Sequence, residues 1–226
     1  MPDWMLLMLN SLGPLLWAAL IFTAPLTLLS FVFGLSLGLL VALVRLFAAA
    51  PFVVIVRFYV WIFRGTPLLV QLFLIFYGLP SVGIVLDAFP AALIGFTLNV
   101  GAYSSEIIRA SISSVAKGQW EAAYAVGMSG PQAMRRTILP QALRVAVPPL
   151  SNTFISLVKD TSLAAAITVP EMFQAAQRIV ATTYEPLILY VEAALIYLGL
   201  SSILSSLQVR LEARLNRYGG FLEARS

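Results

Sequence analysis

From Trp4 to Val44 no residue carries a charge, a run about twice the roughly 20 residues that cross the hydrocarbon core of a bilayer as a helix. The chain divides into five apolar segments, residues 12–44, 52–79, 88–108, 145–169 and 186–207, separated by charged or turn-rich stretches. No β-barrel contains a run of this kind. The pattern predicts an all-α integral membrane protein of five transmembrane helices.

Charge fixes the expected orientation. Arg45, Arg57 and Arg64 follow the first segment; Arg109, Lys117, Arg135, Arg136 and Arg144 follow the third; Arg210, Arg214, Arg217 and Arg225 follow the fifth. Basic loops stay in the cytoplasm. The opposite side carries Asp3, then Asp87, then Glu171, Arg178 and Glu185. The N-terminus is therefore expected outside and the C-terminus inside. Splitting the first segment at Pro25 would put every arginine cluster on the wrong face, so one tilted or kinked helix fits better. Composition agrees: 60% of residues are hydrophobic and 11% charged, against about 25% charged in globular domains. Asp3, with no Lys or Arg near it, and the length of the first run argue against a cleaved signal peptide. The absence of Cys and His excludes disulfides, thiolate nucleophiles and the commonest zinc sites.

Residues 117–140, KGQWEAAYAVGMSGPQAMRRTILP, interrupt this pattern with a water-compatible sequence. A helix is predicted over residues 119–126, stopped by Gly127, and a second starts at Ser129, Gly130 and Pro131 and runs to about Ile138. Ala122, Ala123, Ala125 and Gly127 would present a surface small enough for another protein to approach, with Glu121 near the helix start. On composition alone the better fit is a helix lying on the headgroups, held by Trp120, Met134 and Arg135.

Ionisable and amide side chains within spans are functional candidates. Lys159 and Asp160 fall deep in the fourth segment, about 100° apart on a helix. Asp160, with Thr161 and Ser162, is expected to line a pathway where the helix breaks, in a segment that Pro148 and Pro149 interrupt. The other reading has each charge neutralising a neighbour and joining helices. In the second segment Arg64, Gly65, Thr66 and Pro67 mark a further interruption, followed by Gln71, with Asn99 and Tyr103 in the third. Such groups together suit a zwitterion, whose carboxylate needs donors and whose ammonium needs an acceptor. Glu106 and Arg109 at i, i+3 read as a structural pair. Ser30, Gly34, Gly38 and Ala42 recur every fourth residue, a small-residue face that would join helices within the subunit or between subunits. Ser201, Ser202, Ser205 and Ser206 have the same ambiguity. No internal repeat or linker is visible, so residues 1–226 form one domain, with its loop at 117–140.

Glu121, Ala122 and Ala123, then Gly127, then Leu139 and Pro140 at their separation resemble the EAA signature of permease subunits in bacterial ATP-binding-cassette importers. Thr137 stands where that signature usually has an aliphatic residue. Residues 63–80, 102–123 and 139–167 resemble the polar amino acid permeases of the type I importer group, and within it look most similar to cystine permease subunits; the likeness runs from about residue 15 to 217. It implies five helices with the N-terminus outside and a cytoplasmic coupling helix pair, between the third and fourth spans, inserted in a cleft of a separate ATPase. It implies further partners: an extracytoplasmic amino-acid-binding protein and a second permease subunit, identical or different, in the bacterial cytoplasmic (inner) membrane. Independently of the resemblance, the chain has no phosphate-cradling Gly-x-x-x-x-Gly-Lys-Ser/Thr loop. It is thus expected to be non-catalytic and to bind no cofactor, with ATP and Mg on the partner and no nucleic acid involved. The alternative is a stand-alone channel or ion-coupled carrier with Lys159 and Asp160 as its ion site.

Overall fold

The structure, a computed structural model, describes residues 3–217, with side chains through residue 214. Arg225 lies outside the described residues. Helix α1 is continuous over Asp3–Phe47. Helices α2 (Ala50–Gly65) and α3 (Leu68–Val82) follow, bent by 110° at the break between them. Then come α4 (Ala88–Ser113), α5 (Lys117–Ala125), α6 (residues 130–160), α7 (Met172–Thr183) and α8 (Pro186–Arg217). A 3-10 stretch, Thr161–Ile167, leads out of α6.

Proline shapes several of these helices without ending them. Widened π-helical turns occur at Ala19–Thr23, Leu74–Gly78 and Met134–Ile138, and Pro25, Pro80 and Pro140 each stand two residues beyond one of them. Proline lacks the N–H that would bond the carbonyl four residues back, and its ring collides with that carbonyl. In all three cases this carbonyl belongs to the central residue of the π turn, where the extra residue moves it aside. Hence α1 passes Pro25 as one helix of 45 residues, about 67 Å long at 1.5 Å per residue. The second half of the 117–140 loop likewise does not end near Ile138 but runs straight into α6. Pro148 and Pro149, expected to interrupt the fourth segment, also lie inside continuous helix. The interruption falls at Asp160, where α-helix gives way to the 3-10 stretch.

The small-residue face of α1 is used within this chain. Ser30, Gly34, Gly38 and Ala42 are all buried, in the part of α1 that lies along α4. A Cβ on Gly34 would come within 2.6 Å of Val100 Cγ1, and one on Gly38 within 2.8 Å of Ser104 Cβ. The main core adjoins this contact: Leu26, Leu72, Phe96, Val100, Leu157 and Ile167 join α1, α3, α4, α6 and the 3-10 stretch. Ser202, Ser205 and Ser206 of α8 remain exposed.

The first turns of α1 extend beyond this core and lie against α7 and α8 through Leu15, Met172, Ala176 and Ala193. Two carboxylates are buried here. Glu171, read from sequence as a loop charge, is fully buried at the start of α7. It accepts hydrogen bonds from the N–H groups of Phe173 (2.9 Å) and Gln174 (2.7 Å) and from the Tyr197 hydroxyl (2.9 Å). Glu192 of α8 accepts from Ser11 of α1 at 2.5 Å.

Among the described residues three helices are long and apolar enough to cross a membrane, Asp3–Phe47, Ala88–Ser113 and Pro186–Arg214, and the α2–α3 pair makes a fourth if its arms form one span. The expected span at 145–169 is not among them, because α6 carries Asn152, Ser156, Lys159 and Asp160 where an ordinary span has hydrocarbon.

Candidate functional site

The break between α2 and α3 frees backbone carbonyls, and the amides of Gln71 and Asn99 reach them. Gln71 Nε2 donates to the carbonyls of Phe63 (2.9 Å) and Thr66 (3.1 Å) and lies 2.9 Å from Thr66 Oγ1. Asn99 Nδ2 donates to Gln71 Oε1 at 3.1 Å. Buried polar groups are expensive unless bonded in this way. Gln71 is therefore a strut of the break.

Beside the break lies a cavity of about 470 Å³. Thr66, Pro67 and Leu68 form one wall, Asn99, Val100 and Tyr103 of α4 another, and Asn152, Thr153, Ser156 and Asp160 of α6 a third. The α6 residues Asn152, Ser156 and Asp160 recur every fourth position, which aligns them on one helix face. Asp160 makes no ion pair among the described residues. It ends α6 with its carboxylate on the cavity wall.

Other residues singled out from sequence lie elsewhere. Lys159 is exposed and off the cavity wall. Thr161 is fully buried and its hydroxyl donates to the Val158 carbonyl at 2.7 Å; the Ser162 hydroxyl donates to that of Lys159, also at 2.7 Å. Both cap the end of α6 and neither lines the cavity. The Arg64 guanidinium stacks over the Tyr103 ring, 5.5 Å from its centroid, and so borders the cavity from outside. On its far side it stands 3.6 Å from Glu106, which also pairs with Arg45 and, at 2.9 Å, with Arg109. The expected Glu106–Arg109 pair is thus part of a cluster that ties α1, α2 and α4 together. Asn152, Thr153 and Ser156 escaped the sequence reading, although their spacing ahead of Asp160 was the signal that could have found them.

The second candidate surface is the helix pair at the basic end. Helix α5 starts at Lys117, so Glu121 lies in its second turn. It ends in a Schellman turn: the N–H of Gly127 donates to Tyr124 O at 2.9 Å and that of Met128 to Ala123 O at 3.1 Å. Gly127 has φ of 79°, left-handed backbone that only glycine adopts freely. Ser129 and Gln132 form a capping box at the start of α6. Glu121, Ala122, Tyr124, Ala125, Val126 and Gly127 are exposed. Ala123, expected on that exposed face, is buried, because this side of α5 rests on α6. Trp120 and Met134 face inward too, packing with Ile112, Ile138 and Ala142, a cluster that Leu46 and Ile108 complete. Leu139 is half-buried and Pro140 exposed. The pair is thereby fixed to the ends of α1, α4 and α6, while one face of α5 stays free.

Residues 34–217 match the family model for the binding-protein-dependent transport system inner membrane component. The L-cystine transport system permease protein TcyB of Bacillus subtilis is 54% identical over 210 residues, covering 92% of this chain and 90% of that protein. The arginine transport system permease protein ArtQ of the same organism is 37% identical over 206 residues, covering 89% and 93%. A crystal structure of an amino acid ABC transporter with histidines superposes with a TM-score of 0.89 at 34% identity, covering 95% of this chain and 99% of that one.

Proposed function

Since the chain belongs to the family of binding-protein-dependent transport system inner membrane components, and is the permease subunit of an amino acid ABC importer, we propose that its cargo is cystine. The observation that carries this reading is the cavity between α4 and α6. Cystine presents an ammonium and a carboxylate at each end. Asp160, unpaired at the cavity wall, suits an ammonium; Arg64, beside Tyr103 at the rim, suits a carboxylate; Asn99, Thr66, Asn152 and Ser156 supply neutral hydrogen-bonding groups between them. The 54% identity to a cystine permease supports the same cargo.

In this reading the chain is a single domain that crosses the cytoplasmic (inner) membrane five times, N-terminus outside, with α6 as the fourth span. At about 46 Å for residues 130–160 it is long enough, and its polar face is turned to cargo instead of lipid. The chain hydrolyses nothing. An ATPase subunit carrying ATP and Mg docks on the exposed face of α5, around Glu121, Ala122 and Gly127, and its movements pass through the Trp120–Ile138 contact into α4 and α6. An extracytoplasmic binding protein delivers the amino acid, and a second permease subunit, identical to this one, completes the pathway. A stand-alone channel or ion-coupled carrier would leave the free face of α5 without a role.

The test is uptake of labelled cystine into proteoliposomes that hold the permease, a candidate ATPase and a candidate binding protein. Vanadate-sensitive uptake, competed by unlabelled cystine, is expected. Uptake of arginine that excess cystine does not reduce would overturn the cargo.

A further inference from the structure

On the far side of Arg64 from the polar cavity lies a second cavity, of about 370 Å³. Its walls are Arg45 near the end of α1, Arg57, Val60, Trp61 and Arg64 of α2, and Glu106 of α4. Both Glu106 oxygens are engaged, one by Arg45 and one by Arg109. Arg57 makes no ion pair among the described residues, and Arg45 Nε is buried without a hydrogen-bond partner. Four guanidinium groups (Arg45, Arg57, Arg64, Arg109) against one carboxylate leave a net charge of +3. Cations gathered beside apolar surface call for further anionic partners.

The same helix supplies the apolar surface. Val54, Ile55, Phe58 and Trp61 of α2 are 64%, 66%, 60% and 70% exposed. They occupy one arc of the helix, and Arg57 and Arg64, seven residues apart, run along its margin. Phe58 and Trp61 stack at 5.8 Å, and Trp61 is also a wall of the arginine cavity. A ligand that fills both surfaces is anionic at one end and apolar along the rest. Depth agrees: Arg45 lies two residues before the end of α1, and Glu106 seven before the end of α4, within roughly 10 Å of the helix ends. That is headgroup level, on the side where anionic lipids concentrate against basic residues.

We propose that this pocket binds an anionic phospholipid, its phosphate held between Arg45 and Arg57 and its acyl chains laid along Ile55, Phe58 and Trp61. Arginine suits the task because its planar donors engage phosphate oxygens in pairs. The binding does not depend on which amino acid is carried.

Trp61 is the natural reporter. The permease, assembled with its ATPase, is reconstituted in phosphatidylcholine vesicles doped with brominated phosphatidylglycerol or, at equal bromine, brominated phosphatidylcholine. The Trp61 signal is the difference between the native chain and Trp61→Phe. Several-fold stronger quenching by the brominated phosphatidylglycerol is expected, largely lost in Arg57→Gln and retained in Arg57→Lys, with added inorganic phosphate having no effect. Equal quenching by the two lipids overturns the proposal, as does a preference unchanged in Arg57→Gln. Loss of the preference on adding phosphate would mean a free-anion site instead, and protection of Trp61 from both lipids would mean that protein covers this face.

Discussion

Gly38 of α1 and Ser104 of α4 approach so closely that a Cβ on the glycine would stand 2.8 Å from the serine Cβ and 3.0 Å from the Gly101 carbonyl oxygen. The neighbours are largely backbone and short side chain, so little there can move aside. Helices in lipid gain nothing from burying apolar surface against each other; close van der Waals contact between small residues replaces that driving force.

Gly38→Val should therefore destabilise the chain by overpacking, by about 1–3 kcal/mol. The expected readout is a lower apparent melting temperature of the detergent-solubilised protein and reduced yield in membranes. Gly13→Ala is the control, since nothing lies within 4 Å of that Cβ position. Equal stability of native and Gly38→Val proteins would contradict the packing.

Asp160→Asn should abolish uptake while the assembled complex still hydrolyses ATP. The change removes the one carboxylate on the polar cavity's wall and leaves α5 untouched. Lys159→Gln, off the cavity wall, should transport normally. Native uptake kinetics in Asp160→Asn would make Asp160 a structural residue.

What is legible in the sequence and what is not divides along physical lines. The turn after α5 was legible because Gly127 and Ser129 are residues whose backbone and capping preferences are local. The break at Gly65, Thr66 and Pro67 was legible for the same reason. Pro148 and Pro149 misled, because a proline's missing N–H can be absorbed by a helix whose neighbours hold it straight, and nothing nearby in sequence reports that. Ala123 misled because which side of a short alanine-rich helix faces inward depends on Ile138 and Trp120 packing beneath it. Glu171 and Glu192 were opaque: their partners Tyr197 and Ser11 lie 26 and 181 residues away.

Gly127→Trp should leave the permease inserted and folded but release the ATPase and stop uptake. The position is open, with nothing within 4 Å of an added Cβ, yet φ of 79° strains any L side chain. Gly127→Asn separates the two effects, because asparagine tolerates left-handed backbone and is small; it should keep part of the coupling. Full copurification of the ATPase with Gly127→Trp would remove the exposed face of α5 from the docking surface.

Every functional assignment above depends on which end of the bundle faces the cytoplasm, and the native chain, with no cysteine, allows this to be tested without background. Asp87 and Arg178 lie at the end opposite α5, Lys117 begins α5, and Arg214 lies near the end of α8; all four are exposed. The excess of arginine and lysine around α5 and in the last turns of α8 makes that end the expected cytoplasmic one. Single cysteines at 87 and 178 should therefore react with an impermeant maleimide added to intact cells, and cysteines at 117 and 214 only after permeabilisation. The proposed five crossings call for this alternation, with α6 as one of them although its hydropathy falls short. Labelling of 87 but not 178 from outside would take α6 out of the membrane. Labelling of 117 from outside would invert the chain, put α5 beyond the reach of a cytoplasmic ATPase, and move the arginine pocket to the leaflet poor in anionic lipid.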